Sequence, residues 1–251
     1  MTPMFRTAVA LAALLSLTAC QKAEDAAFGQ KVRAYLLEHP EVIEEAVQKL
    51  QEKKQVEAAN VAKVGLVKHR DALERDPRDF VANPNGKITV VEFFDYRCGY
   101  CKVSAPEVLK LIEENPDVRF VFKEFPILSR ESAVAAQVIL SSKAKPKTLE
   151  LHRAFMGEKA LSEDSIYRHL RAAGVDPTVA KADGEGAAVM KHLADTRALA
   201  GNLGIDGTPA FIVGDRMISG ADMAGLRAAI AEAKTASLKT INQAKVDAPT
   251  G

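Results

Sequence analysis

The stretch ITVVEFFDYRCGYC, residues 88–101, decides the fold that we predict for this sequence. Its first half is rich in β-branched and aromatic residues, which is typical of a buried strand. A helical pattern then continues to about Glu114, and residues 118–125 have the composition of a second strand. This order predicts a β-α-β unit in which Cys98 and Cys101 lie between the first strand and the helix.

The chain after this unit contains a helical block and then a second group of strands. Residues 129–203 carry no convincing strand, and their helical patterns are separated by glycine and proline. Two short strands over 210–213 and 217–219 and a helix over about 223–234 follow. The complete order predicts an α/β protein with a thioredoxin fold and an inserted helical domain, preceded by an N-terminal helical stalk.

Residues 20–76 are predicted to form a tether and the stalk, ahead of a main domain over 77–236 and a flexible tail over 237–251. We expect the inserted helices at about 129–203. Apolar residues recur at helical spacing in the stalk, at Val32, Leu36, Ile43, Val47 and Leu50. This apolar stripe is too narrow to form a core alone. Residues 28–74 are therefore expected to pack on copies of the chain or on the main domain. A solvated helical linker is the alternative.

Residues 1–19 have the pattern of a signal peptide, with an apolar run over 8–17. The run is shorter than the roughly 20 residues that a membrane-spanning helix needs. The sequence LTAC, residues 17–20, resembles a bacterial lipobox, which predicts that Cys20 is acylated and anchors the protein to a membrane. Gln21 after it favours the outer membrane. The alternative is a plain signal peptide cleaved just before an incidental cysteine.

The composition is typical of a soluble globular domain and argues against a nucleic-acid partner. Hydrophobic residues make up 47% of the 251 residues and charged residues 27%, which allows a sizeable core. The net charge is only +1. Because nucleic-acid binding needs a basic face, we predict no nucleic-acid partner.

The two cysteines of the C-x-x-C pair take their predicted roles from the helix that follows them. Free N–H groups and the positive end of the helix dipole favour an anion, so Cys98 is expected to be an exposed nucleophilic thiolate, with Arg97 contributing. Cys101, one turn later, is then the buried resolving thiol. The alternative is half of a zinc site, but structural zinc needs four ligands, and no second C-x-x-C or nearby histidine exists. We predict no metal and no cofactor beyond a redox-active Cys98–Cys101 disulfide.

Two further features are candidates for the same site. A proline that opens the strand after the inserted domain is where a thioredoxin fold places a cis proline, so the Thr208–Pro209 bond is expected to be cis and to face the sulfurs. Glu92 lies in an otherwise apolar strand, where it is either an edge residue that faces water or a buried carboxylate that relays the proton of Cys101. Lys123 on the next strand is the expected partner of Glu92.

The segments VEFFDYRCGYCK (91–102) and GTPAF (207–211) resemble the DsbA superfamily of periplasmic thiol oxidoreductases. The resemblance implies that Cys98, Cys101 and Pro209 occupy catalytic positions and that Glu92 is the buried acid. It also implies that the protein acts on thiols and disulfides of exported proteins and is recycled by a membrane redox partner. The segment YLLEHPEVI, residues 35–43, resembles the stalk of ScsC-like members, which implies a homo-oligomer and a link to copper stress.

The residues between the cysteines differ from those of the typical oxidase of this superfamily. The typical pair is Pro-His, whereas Gly99 and Tyr100 stand here, as in isomerases and ScsC-like proteins. A neutral tyrosine should make a milder oxidant, so isomerisation of disulfides is favoured slightly over their formation. The alternatives are a client-specific thiol reductase and a surface lipoprotein that binds copper or a partner without turnover.

Overall fold

Two helices, α1 over 27–38 and α2 over Glu41–Lys68, form the N-terminal part of the described chain. The structure is a computed structural model, which describes the backbone of residues 27–246 and the side chains of this range except 54–62 and 240–246. The chain divides into two units, Met1–Ala59 and Asn60–Gly251. In the first unit, proline at position 40 separates the two helices, since its ring disfavours helical geometry in the preceding residue.

A five-stranded mixed sheet is the centre of the second unit. Its strands are β1 (Phe80–Ala82), β2 (Ile88–Phe94), β3 (Val118–Glu124), β4 (Ala210–Val213) and β5 (Arg216–Ser219), in the order β1-β3-β2-β4-β5. The central pair, β2 and β3, is parallel, and every other pair is antiparallel. The parallel pair requires a crossover, which is the helix that follows the two cysteines.

The helices of the second unit surround this sheet. They are α3 (Arg70–Glu74), α4 (Gly99–Glu114), α5 (Arg130–Leu140), α6 (Thr148–Gly157), α7 (Glu163–Ala172), α8 (Pro177–Gly184), α9 (Ala187–Asn202) and α10 (Met223–Val246). Helices α5 to α9 lie between β3 and β4 in sequence. The predicted fold class, a thioredoxin fold with a helical insertion after N-terminal helices, is confirmed.

The sheet separates two hydrophobic cores, because successive side chains of a strand point to opposite faces. Val90, Phe94 and Phe122 belong to the core that contains the two cysteines. Val91, Phe93 and Val121 belong to the other core, with leucines of α2, α3 and α9. This alternation decides on which side of the sheet each polar residue of β2 and β3 lies.

Two elements differ from the sequence prediction. Strand β1 was not predicted, because three residues are too few for a periodic pattern to be recognised. Helix α10 continues to Val246 rather than ending near Lys234, since no glycine or proline interrupts the chain between Gly225 and Pro249. The last part of the predicted tail, residues 247–251, lies outside the described residues. Within the described chain, no helix is both long enough and apolar enough to span a bilayer.

Candidate active site around Cys98 and Cys101

The sulfur of Cys98 lies at the first turn of α4. Cys98 is the N-cap of this helix, with an extended backbone, and its Sγ accepts a hydrogen bond from the backbone N–H of Cys101 at 3.4 Å. Asp95 fixes the turn before it, since its Oδ1 accepts from the N–H of Arg97 at 2.7 Å and its carbonyl accepts from the N–H of Cys98. This geometry directs at the sulfur a helix N–H that has no partner within the helix.

The Thr208–Pro209 segment lies opposite the cysteine. The peptide bond between these residues is cis, as the sequence predicts. The Sγ of Cys98 donates to the carbonyl oxygen of Thr208 at 3.1 Å. Because β4 begins directly after Pro209 and pairs with β2, the sheet holds this segment against the start of α4.

The exposure of Cys98 differs from the prediction. Only 6% of Cys98 is accessible to solvent, against 1% of Cys101. The expectation of an exposed Cys98 is therefore wrong, because the Thr208 carbonyl covers its sulfur, although Cys98 remains the more accessible of the two. Both cysteines are free thiols in this structure.

Burial also changes the pKa of the second cysteine, Cys101. It raises the pKa of the Cys101 thiol well above its usual range, and the charge of the Glu92 carboxylate acts in the same direction. A thiol that holds its proton so strongly needs a base close by before it can attack a disulfide.

Glu92 meets the description of a buried acid. Its side chain is on the same face of β2 as Val90 and Phe94, it is 3% exposed, and its Oε2 has no hydrogen-bond partner among the described residues. Burial raises its pKa to about 8. The alternative of an edge residue that faces water is wrong, because β2 is paired on both sides, by β3 and β4.

The predicted pairing of Glu92 with Lys123 is wrong. The parallel register places Glu92 beside Phe122, so Lys123 points to the opposite face of the sheet. There its ammonium pairs with the buried carboxylate of Asp79 and donates to the carbonyl of Ala72 at 2.6 Å. Among the described residues, Glu92 consequently has no cationic partner.

Sequence reasoning missed a polar cluster on the Glu92 side of the sheet. The Tyr96 hydroxyl donates to Oε1 of Glu124 at 3.0 Å and lies 3.3 Å from Nδ1 of His152, and all three side chains are buried. Burial raises the pKa of Glu124 well above its usual range and lowers that of His152 to about 3. The sequence could have shown this for Glu124, because it is two and four residues after Phe122 and Phe120 on the same strand. Its carboxyl therefore lies on the same buried face of the sheet as these two rings.

One group of side chains in the described part of the chain has the spacing of metal ligands. Asp76, Asp79 and His192 have ligand atoms within 4.8 Å of one another. However, Asp79 already binds Lys123 and His192, and Asp76 binds Arg78. These partners indicate a network of ion pairs, and the group is on the face of the sheet opposite the cysteines.

A small cavity borders the Thr208–Pro209 segment. It has a volume of about 120 Å³ and is bordered by Gly207, Thr208 and Pro209 on one side and by Met217 and Ser219 on the other.

The comparison with known families agrees with this arrangement. Residues 89–231, more than half of the chain, match the DSBA-like thioredoxin domain. The chain belongs to this family. Residues 24–57 match a second family model, the copper resistance protein ScsC N-terminal domain. The chain is thus a ScsC-like member of the DsbA superfamily, and its DSBA domain is of the thiol–disulfide oxidoreductase type.

Solved structures similar to this DSBA-family chain extend over both regions. BcfH of Salmonella enterica Typhimurium is 31% identical, with a TM-score of 0.72, and the match covers 87% of this chain and 99% of that chain. ScsC of Proteus mirabilis in a transitional conformation is 32% identical, with a TM-score of 0.62 and coverage of 86% and 97%.

Curated relatives match over a smaller part of their length. The Na(+)/H(+) antiporter NhaA 1 of Salinispora arenicola is 27% identical over 172 residues, which are 63% of this chain and 25% of that protein. The chain thus spans about a quarter of this relative's length.

Proposed function

We propose that this chain is a periplasmic enzyme that forms or isomerises disulfides in exported proteins through Cys98 and Cys101. The observation that carries the proposal is the position of the Cys98 sulfur. It caps α4, 3.4 Å from the N–H of Cys101, and it lies 3.1 Å from the carbonyl of Thr208. A nucleophile with a backbone N–H on one side and the half-buried backbone of Thr208 on the other is suited to thiol–disulfide exchange.

In the oxidising direction, a client thiolate attacks Sγ of Cys98 in the Cys98–Cys101 disulfide. The mixed disulfide forms, and Cys101 leaves as a thiolate that takes a proton from Glu92. A second client thiolate then attacks the client sulfur of the mixed disulfide, which forms the client disulfide and releases Cys98 as a thiolate. In isomerisation, the Cys98 thiolate attacks a client disulfide, and another client thiolate later displaces it, so no net oxidation occurs.

Glu92 is proposed to hold and return the proton of Cys101. Both groups are buried on one side of the sheet, and the charge of Glu92 acts on Cys101. A pKa of about 8 allows this carboxyl to accept or donate a proton near neutral pH. Thr208 and Pro209 are proposed to align the client backbone beside Cys98.

The cellular setting is proposed from the N-terminal sequence. The signal-peptide pattern and the LTAC sequence support export to the periplasm with a lipid anchor at Cys20, on the outer membrane. Cys20 lies outside the described residues. The partners are exported protein thiols and disulfides and a membrane protein that resets the redox state, and residues 28–74 are proposed to join copies of the chain.

The second candidate function is a role in copper handling, as a thiol reductase for a copper-site client or as a binding module. One observation favours it: residues 24–57 match a domain that is described as part of a copper resistance protein. Gly99 and Tyr100 between the cysteines favour isomerisation over oxidation within the leading proposal.

Substitution of each cysteine tests the proposal. We expect Cys98→Ala to abolish refolding of scrambled ribonuclease, because the nucleophile is lost. Cys101→Ala should instead accumulate mixed disulfides between Cys98 and the client, visible on non-reducing gels, because the resolving thiol is missing. Absence of adducts with Cys101→Ala, or full activity of Cys98→Ala, would contradict the proposal.

Ribonuclease assays separate the two directions of the leading function, and a copper-binding measurement tests the second candidate. Unscrambling of ribonuclease supports the isomerase, and rapid oxidation of reduced ribonuclease with poor unscrambling supports the oxidase. Tight copper binding by the reduced protein without turnover of either substrate would favour the binding module instead.

A further inference from the structure

Two cations flank the cysteine pair, one on each side in sequence, and both reach the same part of the helical insertion. The Nζ of Lys102 donates to the carbonyl oxygens of Phe155 at 3.0 Å, Met156 at 3.4 Å and Glu158 at 2.8 Å. The Nη1 of Arg97 donates to the carbonyl of Leu161 at 2.5 Å. We call residues 155–161 the carbonyl segment.

The carbonyl segment is suited to holding a cation. Helix α6 ends at Gly157, so its last carbonyls have no partner within the helix and carry the negative end of the helix dipole. An ammonium group has three donors and can satisfy three carbonyls at once, here two from the last turn of α6 and that of Glu158. The backbone N–H of Lys102 donates to the carbonyl of Cys98 at 3.0 Å, so Lys102 lies one turn of α4 after Cys98, on the same face of the helix.

The hydrogen-bond partners of the two cations carry no formal charge. The carboxylate of Glu158 accepts instead from Arg168 at 2.9 Å and His169 at 2.8 Å. Asp95 is the buried carboxylate on the strand side, and it accepts from Ser132 and from backbone N–H groups at the turn. Neither Lys102 nor Arg97 is thus hydrogen-bonded to a carboxylate among the described residues.

The pKa of Lys102 reflects mainly its burial. Burial lowers the pKa of Lys102 below its usual value of 10.5, and the charge of Arg97 acts in the same direction. The charges of Glu158, Asp95 and Cys101 act in the opposite direction. Lys102 and the thiol of Cys101 therefore influence each other electrostatically, and Glu92 is the further carboxylate that faces Cys101.

We propose that Lys102 is a positioning residue of the redox pair. The carbonyl segment holds the ammonium of Lys102 and the guanidinium of Arg97 near the start of α4, and the positive potential of these two groups stabilises the thiolate of Cys98. This inference rests on the proposed function and deepens it. A stabilised thiolate favours the reduced form, which makes the disulfide a stronger oxidant. The flanking cations supply the positive charge that Tyr100 does not supply from within the motif.

Lys102→Met removes the charge and keeps most of the stem. The stem borders a cavity of about 350 Å³ with Ala105, Pro106 and Met156, which gives a methionine or an arginine room. Lys102→Arg retains the charge. Lys110→Met is the matched control, because Lys110 is an exposed lysine of the same helix that pairs with Glu114 at 3.6 Å.

The measurements are the pH dependence of Cys98 alkylation by iodoacetamide and the reduction potential in glutathione buffers, both on the full chain. Lys102→Met should shift the midpoint of the alkylation profile upward by about half a unit to one unit, the size expected for one charge at close range in a protein. The alkylation rate at pH 6 should fall roughly three- to tenfold, and the disulfide should become less oxidising. Lys102→Arg and Lys110→Met should match the wild type.

A structural role alone would lower thermal stability and leave both the profile and the potential unchanged, which would overturn the inference. If Lys102→Met does not fold, Arg97→Met carries the same test, because it leaves the α6 carbonyls capped and should shift both readouts in the same direction. Exchange between the wild type and glutathione tests the proposed function separately. A wild type that exchanges no disulfide would contradict both, whereas unchanged variants of an active wild type would contradict only the inference.

Discussion

At the scale of single residues, Glu92 is the least compensated group of the site. It is buried without a cation and with one carboxylate oxygen unpartnered in the described structure. A core position normally excludes such a group, since an unpaired buried charge costs several kcal/mol. Its presence on the side of the sheet that contains Cys101 is explained if it exchanges a proton with this thiol near neutral pH.

The pH dependence of stability follows from this carboxyl. Its pKa rises from 4.5 in the unfolded chain to about 8 in the folded protein. Between these values the unfolded state has lost the proton that the folded state keeps, so the free energy of unfolding falls as pH rises. The full difference corresponds to roughly 5 kcal/mol above pH 8.

We therefore expect Glu92→Gln to remove most of this pH dependence. Urea unfolding at pH 5 and pH 8 should show a wild type that loses stability with rising pH and a variant that loses less, by the contribution of Glu92, while the contribution of Glu124 remains in both proteins. The exposed Glu113→Gln should behave as the wild type. Equal pH dependence in Glu92→Gln and wild type would show that this carboxyl is ionised in the fold.

At the scale of elements, the register of β2 and β3 decides which polar groups meet. It places Glu92 on the cysteine side and Lys123 on the side of α3 and α9. There Lys123 joins Asp79, which also accepts from Nε2 of His192 at 2.9 Å. This buried network ties β3, the segment before β1 and α9 together.

Removal of one member of this network should be costly. Asp79→Asn leaves Lys123 buried without a carboxylate, for which we expect a loss of about 3–5 kcal/mol in the free energy of unfolding. The double variant Asp79→Asn with Lys123→Met buries no ammonium and should recover most of the loss. Urea unfolding of the three proteins measures this. A double variant no more stable than Asp79→Asn would mean that the charge of Lys123 is not the cause.

How much the sequence could predict at this scale depended on the range of the interaction. Strand β2, helix α4 and strand β3 follow from local composition and periodicity, which act over a few residues. The partner of Lys123 follows from a register between strands, and one residue of slip exchanges the two faces. The sequence therefore identified Glu92 and the cysteines but assigned Lys123 to the wrong carboxylate.

At the scale of the whole molecule, the N-terminal unit has an apolar row without a partner in the described structure. Ile43, Val47 and Leu50 lie at helical spacing on α2 and are 52%, 47% and 51% exposed. Such rows are typical of helices that pack on a second helix. An assembly of several chains would bring several cysteine pairs to one client, which suits the isomerisation of disulfides.

We expect Ile43→Glu with Leu50→Glu to convert an oligomer into a monomer, because charge in a helix interface is strongly unfavourable. Light scattering after size exclusion measures the molar mass, and scrambled ribonuclease measures isomerisation, which should fall while reaction with glutathione is retained. Gln48→Glu adds a charge to the same helix away from the row and should have neither effect. A wild type that is a monomer would contradict this prediction.

The sequence by itself determined the order of elements, the C-x-x-C pair at a helix N-terminus and the proline that opens β4. Each of these features depends on a few consecutive residues, because secondary structure and helix capping are determined by neighbouring residues.

Only the tertiary structure decided how the site is surrounded. Three contacts join residues 28 to 110 positions apart in the sequence. They are the contact of the Thr208 carbonyl with Cys98, the cluster of Tyr96, Glu124 and His152, and the carbonyls that bind Lys102. Such contacts depend on packing and strand register across the whole fold, and no local pattern encodes them.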